Sequence, residues 1–157
     1  MTTRIKELIE NISQAYQDGT ALRIRGGDSK AFYARDITAD DLCLDKLDGI
    51  VDYEPTELYI TAYAGTPLKV LKQVLAEKQQ MFAFEPPSYG DAATLGGMVA
   101  SGLSGPARAY RGALRDSVLG AEIINGKGQA LRFGGQVMKN VAGYDAARLM
   151  SGAFGTL

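Results

Sequence analysis

Two glycine-rich segments constrain the fold of this chain more than any other feature. Residues 25–30 (RGGDSK) directly follow an apolar run, and residues 94–105 (TLGGMVASGLSG) hold four glycines among other small side chains. Glycine allows a positive φ and a close approach of the backbone to a ligand, so such loops can present rows of N–H groups. Converging N–H groups suit a diphosphate, and two such loops predict a dinucleotide held from two sides.

Each segment also has a plain structural interpretation. Gly26 and Gly27 can simply form the turn that ends a strand. The small residues of the second segment can serve close packing between two parts of the fold. The residues alone leave the binding and the packing interpretations open.

The familiar nucleotide-binding fingerprints are absent from the sequence. No G-x-G-x-x-G motif follows a predicted strand, which argues against a Rossmann site. Gly120 and Gly126-Lys127 approach a P-loop, but the spacing is one residue too long, and Gly128 stands where a hydroxyl should hold magnesium. The run from Asn125 to Gly128 instead predicts a hairpin turn.

The composition excludes several classes of function. The 157 residues are 46% hydrophobic and 22% charged, with a net charge of −1, so we predict a globular protein that binds no nucleic acid. No histidine is present, which removes histidine-based acid–base catalysis and histidine metal ligands, and we predict no metal site. The single cysteine, Cys43, is predicted to be a small core residue in a reducing compartment.

The first residues predict an amphipathic helix and not a targeting signal. Apolar side chains recur at helical spacing from Ile5 to Tyr16, and Gly19 follows where a helix would end. No apolar run approaches the roughly 20 residues that a transmembrane helix needs. We therefore predict a cytoplasmic protein without a transmembrane segment.

Residues 1–86 are predicted to form a small α/β lobe. A helix should begin with Thr66 as its cap and Pro67 as its first residue. The irregular run from Glu85 to Gly90 then predicts a hinge. Strands are expected at residues 21–24, 42–44, 49–53, 57–64 and 81–84.

Residues 87–157 are predicted to form a second, mainly antiparallel lobe. A short helix is expected at residues 94–101, then a hairpin of strands at 117–124 and 129–133. A last helix at 146–150 has Asp145 as its cap. The predicted fold class is therefore α+β with two lobes.

Several motifs together resemble one family of flavoproteins. They are Glu85-Pro86-Pro87, 93–100 (ATLGGMVA), 102–106 (GLSGP), 115–120 (RDSVLG), 132–135 (RFGG) and 139–145 (KNVAGYD). The set is similar to the FAD-binding domain of the vanillyl-alcohol-oxidase/p-cresol-methylhydroxylase (PCMH) superfamily. Within that superfamily it resembles the FAD-binding subunits of bacterial glycolate oxidases. The resemblance covers essentially the whole chain and implies a PCMH-type fold with the cofactor between two lobes.

The resemblance implies non-covalent FAD and assigns residues to it. The first loop is expected against the pyrophosphate, and the second against the pyrophosphate and the inner flavin edge. The carboxylate of Asp28 would repel phosphate, so we expect this residue to act through its backbone N–H or by fixing the turn. The predicted cofactor-binding residues are Arg25, Gly26, Gly27, Asp28, Ser29, Lys30, Pro87, Thr94, Leu95, Gly96, Gly97, Ser101, Gly102, Ser104 and Gly105.

The resemblance also implies a reaction and partners. A hydride would pass from the α-carbon of a small 2-hydroxy acid to the flavin, and electrons would pass on to an iron–sulfur subunit. The complex would contain a second flavin subunit and could lie at the inner membrane through these partners. No residue is predicted as a general base. Tyr89 and Tyr110 fit a flavin border or a plain surface equally well, and surface positions are expected for Arg108, Arg111, Arg115 and Arg132.

Two further expectations concern the end of the chain and its role. The sequence stops inside the family pattern, at Gly155-Thr156-Leu157, so we expect part of the second lobe and a substrate-covering cap domain to be missing. The isolated chain should then be inactive. The alternative function is a non-catalytic assembly or docking module of the same complex that binds flavin weakly or not at all.

Overall fold

A computed structural model describes residues 2–136 and 143–157 of the chain, so residues 139–142 of the KNVAGYD motif lie outside the description. In these residues one helix is followed by four strands, then by three helices, a pair of strands and a last short helix, with 3-10 turns at Ala31–Tyr33 and Leu114–Ser117. The remaining elements are α1 Thr3–Asp18, β1 Leu22–Arg25, β2 Asp40–Cys43, β3 Ile50–Glu54, β4 Tyr59–Ala62, α2 Leu68–Glu77, α3 Leu95–Ser101, α4 Arg108–Arg111, β5 Gly120–Ile124, β6 Ala130–Gly134 and α5 Ala146–Leu149.

Helix α1 has the boundaries that its apolar spacing predicts. The Thr2 hydroxyl accepts a hydrogen bond from Ile5 N at 3.4 Å, which satisfies one of the free donors at the helix start. Gly19 ends the helix at a φ of +66°, a left-handed conformation that costs glycine little. Leu8 and Ala15, two turns apart, are the buried residues of this helix.

The six strands within residues 2–136 and 143–157 form three two-stranded sheets. Strands β1 and β2 are parallel, with Leu22 opposite Asp40 and Arg25 opposite Cys43. The other two pairs, β3 with β4 and β5 with β6, are antiparallel. The predicted strand at residues 81–84 is wrong, because these residues form no strand, and Phe84 packs into the core instead.

Cys43 is exposed, which corrects its prediction as a core residue. Side chains alternate between the two faces of a strand. In β2 the buried residue is its neighbour Leu42, with 7% of its surface exposed. The alternation of β2 therefore turns the thiol outward.

Helix α2 begins at Leu68, two residues after the predicted cap. Thr66 does not cap this helix, because its side chain is bonded elsewhere. The Thr66 hydroxyl donates to the Gly49 carbonyl at 3.1 Å and accepts from Gly49 N at 3.0 Å. With only 1% of its surface exposed, Thr66 fastens the start of β3 to the start of α2.

The β5–β6 turn and the cap of α5 follow the predictions, but the first hairpin strand begins at Gly120 and not at Ser117, which ends a 3-10 turn. The side-chain oxygen of Asn125 accepts from Lys127 N and Gln129 N, both at 3.0 Å, which stabilises the turn between the strands. The Asp145 carboxylate accepts from Arg148 N at 3.2 Å at the start of α5. Both short elements are thus fixed by local side-chain chemistry that the sequence shows directly.

A hydrophobic core packs beneath the second glycine-rich segment. It contains residues from both sides of the boundary between residues 86 and 87, so the division into two lobes remains a prediction. Full burial of each leucine stabilises the fold by about 1.5–3 kcal/mol. The buried members are Leu68, Leu71, Phe84, Ala93, Met98 and Leu114.

In the part of the chain that the structure describes, no helix is both long and apolar enough to cross a lipid bilayer.

Candidate functional site

The first glycine loop, residues 26–30, begins where β1 ends. The parallel ladder closes with Leu44 N donating to the Arg25 carbonyl at 2.7 Å, and Ala31 N then donates to the Asp28 carbonyl at 3.2 Å. Among the described residues, none supplies a hydrogen-bond acceptor for the five backbone N–H groups of residues 26–30. These five consecutive donors are therefore not used by the described residues of the protein itself.

Asp28 adopts a left-handed conformation with a φ of +54°. Few residues other than glycine accept this conformation, and aspartate and asparagine are the usual exceptions. The Asp28 carboxylate accepts a hydrogen bond from Arg25 Nη2 at 2.7 Å. Asp28 thus helps to hold the turn, and its negative charge is directed to a guanidinium.

Arg25 lies between two carboxylates. Besides Asp28, it contacts Asp41 of the neighbouring strand β2, with Nη1 donating to Oδ2 at 2.6 Å. Arg23 Nε donates to the other Asp41 oxygen at 2.7 Å. The hydrogen bonds from Arg23 and Arg25 lower the pKa of Asp41 to about 2. Asp41 is not among the residues predicted from the sequence, because its proximity to Arg25 follows from the register of β1 and β2.

Lys30 differs from the other cations of the loop region. Its side chain is half-buried and forms no ion pair with any carboxylate in the described residues, which include all 18 aspartates and glutamates of the chain. Burial lowers the pKa of Lys30. A desolvated cation without a counter-charge favours an anionic ligand.

The two glycine-rich segments pack directly against each other. A Cβ at Gly26 would lie 2.7 Å from the hydroxyl oxygen of Thr94, and one at Gly27 would overlap the carbonyl oxygen of Ala92. Thr94 is itself buried, with 6% of its surface exposed. Gly26 and Gly27 are therefore needed for the contact between the segments, whatever they do for a ligand.

The N–H groups at the start of α3 donate hydrogen bonds to other groups of the protein. Leu95 N donates to the Thr66 carbonyl at 2.9 Å and Gly96 N donates to the Ala64 carbonyl at 2.7 Å. Gly97 N donates to the Thr94 hydroxyl at 3.2 Å, the N-cap bond of this helix. The first turn of α3 therefore has no free N–H row for a diphosphate at these three positions.

Gly96 and Gly97 have different surroundings. A Cβ at Gly96 would lie 2.8 Å from Ala64 Cβ, so this glycine serves close packing. A Cβ at Gly97 would meet only the Thr94 hydroxyl oxygen, at 3.2 Å, within 4 Å. Gly97 is thus the position in the first turn of α3 where a ligand can approach the backbone.

The end of the second segment combines buried hydroxyls with free donors. The Ser101 hydroxyl donates to the Met98 carbonyl at 3.1 Å. The Ser104 hydroxyl donates to the Gly102 carbonyl at 3.4 Å and accepts from Leu114 N at 2.9 Å. Both serines are buried, so their side chains stabilise the segment. The N–H groups of residues 103–105 have no acceptor in the described part of the chain.

Glu85, which precedes the second segment, packs against the end of that segment. The Glu85 carboxylate accepts from Ala107 N at 3.1 Å, and a Cβ at Gly105 would overlap the Glu85 carbonyl oxygen. Pro87, predicted to bind the cofactor, is half-buried. Tyr89 packs edge-on against Phe32, with ring centroids 5.1 Å apart, and so lies beside the residues that follow the first loop.

The remaining polar candidates lie at the surface. Tyr110 is 93% exposed. Arg115 and Arg132 form long ion pairs of 3.7 Å with Asp116 and Glu122, and such exposed pairs contribute little stability. Within residues 2–136 and 143–157, no cluster of three or more His, Cys, Asp or Glu side chains is placed to hold a metal ion.

Comparison with protein families shows to which family the chain belongs. The model of a family described as FAD binding domain matches residues 2–134. The chain belongs to this FAD-binding family. FAD is therefore its cofactor, and the first loop fits this group, since its five free N–H groups and Lys30 suit a diphosphate.

Relatives of known activity place the chain more narrowly. It is 54% identical over 150 residues to the glycolate oxidase subunit GlcE of Escherichia coli K12, covering 96% of this chain and 43% of GlcE. It is 32% identical over 112 residues to the glycolate oxidase subunit GlcD of Bacillus subtilis, covering 71% of the chain and 23% of GlcD. A D-2-hydroxyglutarate dehydrogenase of Xanthomonas citri pv. viticola is 28% identical over 116 residues, with 74% and 24% covered. The chain spans less than half the length of each.

Solved structures confirm the predicted α+β fold. Two crystal forms of alkyldihydroxyacetonephosphate synthase superpose on 97% of the chain, with TM-scores of 0.73 and 0.76. The sequence identities are 18% and 16%, and the chain covers 30% and 28% of those proteins. At this level of identity the likeness establishes the fold alone.

Proposed function

We propose that the protein is the FAD-binding subunit of a glycolate oxidase-like enzyme that oxidises a small 2-hydroxy acid. The observation that carries this proposal is the 54% identity to GlcE over 96% of the chain. Relatives named as D-lactate dehydrogenases and a D-2-hydroxyglutarate dehydrogenase support the substrate class, since both names describe 2-hydroxy acids.

The free donors of the two segments suggest where the cofactor lies. We place the diphosphate against residues 26–30, and the inner flavin edge near Gly97 and residues 103–105. When bound, FAD supplies a hydride acceptor for the α-carbon of the substrate. The chain contributes backbone donors, a cation at Lys30 and a packed support, in which the side chains of Thr94, Ser101 and Ser104 hold the segments and do not themselves reach the ligand.

The names of the relatives also suggest partners. GlcE and GlcD are both described as subunits, which supports a complex of several subunits. We add a second flavin subunit to that complex. We add an iron–sulfur subunit as the electron acceptor and a cytoplasmic location, peripheral to the inner membrane. We keep the two lobes at residues 1–86 and 87–157.

A second candidate function is a docking module of the same complex that binds flavin weakly or not at all. The hydrogen bonds at the start of α3 favour it, because three N–H groups predicted to face the cofactor are satisfied by the protein itself. Five glycines of the two segments are likewise explained by packing, namely Gly26, Gly27, Gly96, Gly102 and Gly105.

The visible spectrum separates the two candidates. The FAD-binding subunit should purify with, or take up, one FAD per chain and show an oxidised flavin band. Anaerobic addition of glycolate, D-lactate or L-lactate to the assembled enzyme should bleach that band. Uptake of FAD without bleaching by any of the three would reject the substrate class. No uptake of FAD would favour the docking module.

A further inference from the structure

The charged side chains around the first glycine loop form a chain of ion pairs. Arg23 and Arg25 share Asp41, and Arg25 also binds Asp28, with the three contacts at 2.6–2.7 Å. Two cations and two anions cancel, so the network adds no net charge to the loop. Arg25 is the only member that contacts both acids.

Asp28 poses an electrostatic problem within the proposed site. It lies in the middle of the loop whose N–H groups are free, where a diphosphate would bring negative charge near its carboxylate. Like charges at such distances repel by an amount that depends on solvent screening. The 2.7 Å contact with Arg25 neutralises that carboxylate before a ligand arrives.

Lys30 is then the one cation of the loop that no carboxylate of the described residues neutralises. It lies two residues after Asp28 and is half-buried, whereas Arg23 and Arg25 are both committed to acids. The positive charge available to a diphosphate therefore comes from Lys30 and the backbone donors.

We propose that Arg25 is a positioning residue that masks the charge of Asp28, and that Lys30 is the cation that meets the diphosphate of FAD. This inference rests on the proposed position of FAD. It changes the role predicted for Arg25, which becomes an internal counter-ion and not a ligand of the cofactor. It also explains Asp28. Aspartate tolerates the left-handed turn, and its negative charge is neutralised by Arg25.

The test is to measure FAD dissociation constants by fluorescence titration of the full-length protein and its variants. Arg25→Gln should weaken FAD binding about tenfold, the effect of roughly one uncompensated charge near a surface. Asp28→Asn, which keeps the left-handed turn, should change binding by less than about threefold and should restore binding in the Arg25→Gln background. Arg25→Lys keeps the positive charge and should bind nearly as the parent does.

Salt and a second cation extend the test. The loss caused by Arg25→Gln should shrink when the ionic strength is raised from about 0.05 M to 0.5 M, because salt screens exposed charges. Lys30→Gln should weaken FAD binding about tenfold, like removal of one favourable charge. Lys127→Gln, on the β5–β6 turn, is the matched control that removes a distant cation and should leave binding unchanged.

The possible failures are distinct. If Arg25→Gln, Asp28→Asn and the double variant all weaken binding equally, the ion pair only braces the turn and the masking role is wrong. If Arg25→Gln leaves binding unchanged while Lys30→Gln weakens it, the masking role is wrong and the loop position stands. If the parent binds FAD and neither Lys30→Gln nor Arg25→Gln has an effect, the diphosphate lies elsewhere and the proposed position of FAD fails. Circular dichroism of each variant shows that it is folded.

Discussion

The two glycine-rich segments look alike in sequence and differ in their use of the backbone. Residues 26–30 have five N–H groups without an acceptor in the described residues, whereas the first turn of α3 donates three of its N–H groups to the protein itself. Both segments use glycine to pack closely, Gly27 against Ala92 and Gly96 against Ala64. A high glycine content therefore indicates that the backbone packs closely against something. Whether that neighbour is a ligand or the protein itself depends on whether the N–H groups already have acceptors in the protein.

The largest effect is expected at the contact between the segments. Gly27→Ala should lower the free energy of unfolding by about 3 kcal/mol or more, because a Cβ would overlap the Ala92 carbonyl and the backbone must move. Chemical denaturation measures this loss. Gly126→Ala is the matched control, since a Cβ there meets nothing within 4 Å, and it should change stability by less than about 1 kcal/mol. Equal effects of the two substitutions would contradict the contact.

The free donors of the first loop predict stabilisation by ligands that carry a diphosphate. FAD at a hundredfold excess over its dissociation constant should stabilise the folded protein by about 2.7 kcal/mol. ADP shares the diphosphate and should also raise the Tm at saturating concentration, whereas riboflavin lacks it and should bind more weakly. Thermal melts with each compound give the order. A larger shift with riboflavin than with ADP would move the recognition away from residues 26–30.

Paired substitutions in α3 separate packing from ligand approach. Gly96→Ala should destabilise the fold by about 1–3 kcal/mol, because its Cβ would lie 2.8 Å from Ala64 Cβ. Gly97→Ala should change stability by at most about 1 kcal/mol, since alanine favours a helix and only the Thr94 hydroxyl lies near.

Gly97→Val then tests the ligand side of the same comparison. Its extra bulk should weaken FAD binding sharply if the cofactor approaches the open side of this turn. A folded Gly97→Val protein that binds FAD as tightly as the parent would remove α3 from the binding site. Isothermal titration of the folded variant gives the answer.

The smallest effect concerns Asp41, which fixes Arg25 beside the first loop. Its pKa falls from 3.8 to about 2 in the folded protein because Arg23 and Arg25 donate hydrogen bonds to it. A depressed pKa stabilises the folded state fully above the unfolded value of 3.8 and loses that contribution as the pH falls towards 2. The Tm difference between the parent and Asp41→Asn should therefore be small at neutral pH and shrink between pH 4 and 2. A difference that does not change over this interval would contradict the network.

Local chemistry explains what the sequence predicts well. Gly19 ends α1, Asn125 builds the hairpin turn, and Asp145 caps α5, and each effect acts over only a few residues. The family motifs also predict the fold and FAD, because they are typical of a whole domain and not of a single element. These features need no knowledge of which strands pair.

Contacts distant in sequence explain what could not be predicted. Thr66 has the residue type and position of a helix cap, but its hydroxyl is hydrogen-bonded to the backbone of Gly49 instead. Asp41 meets Arg25 only because β1 and β2 pair in one particular register. The sequence likewise does not show which N–H groups are bonded. Those at the start of α3 have acceptors in the protein and those of residues 26–30 have none among the described residues, and this depends on residues distant in sequence.

The packing of the first loop against residues 92–94 has a consequence for the speed of binding. Residues 92–94, against which the first loop packs, include the core residue Ala93, and α3 contributes Met98 to the same core. The spacing of the two segments is thus set when the domain folds, before any ligand arrives. Binding to preset loops requires no slow rearrangement after encounter. The observed association rate should therefore rise linearly with FAD concentration, without the plateau that a conformational step would impose.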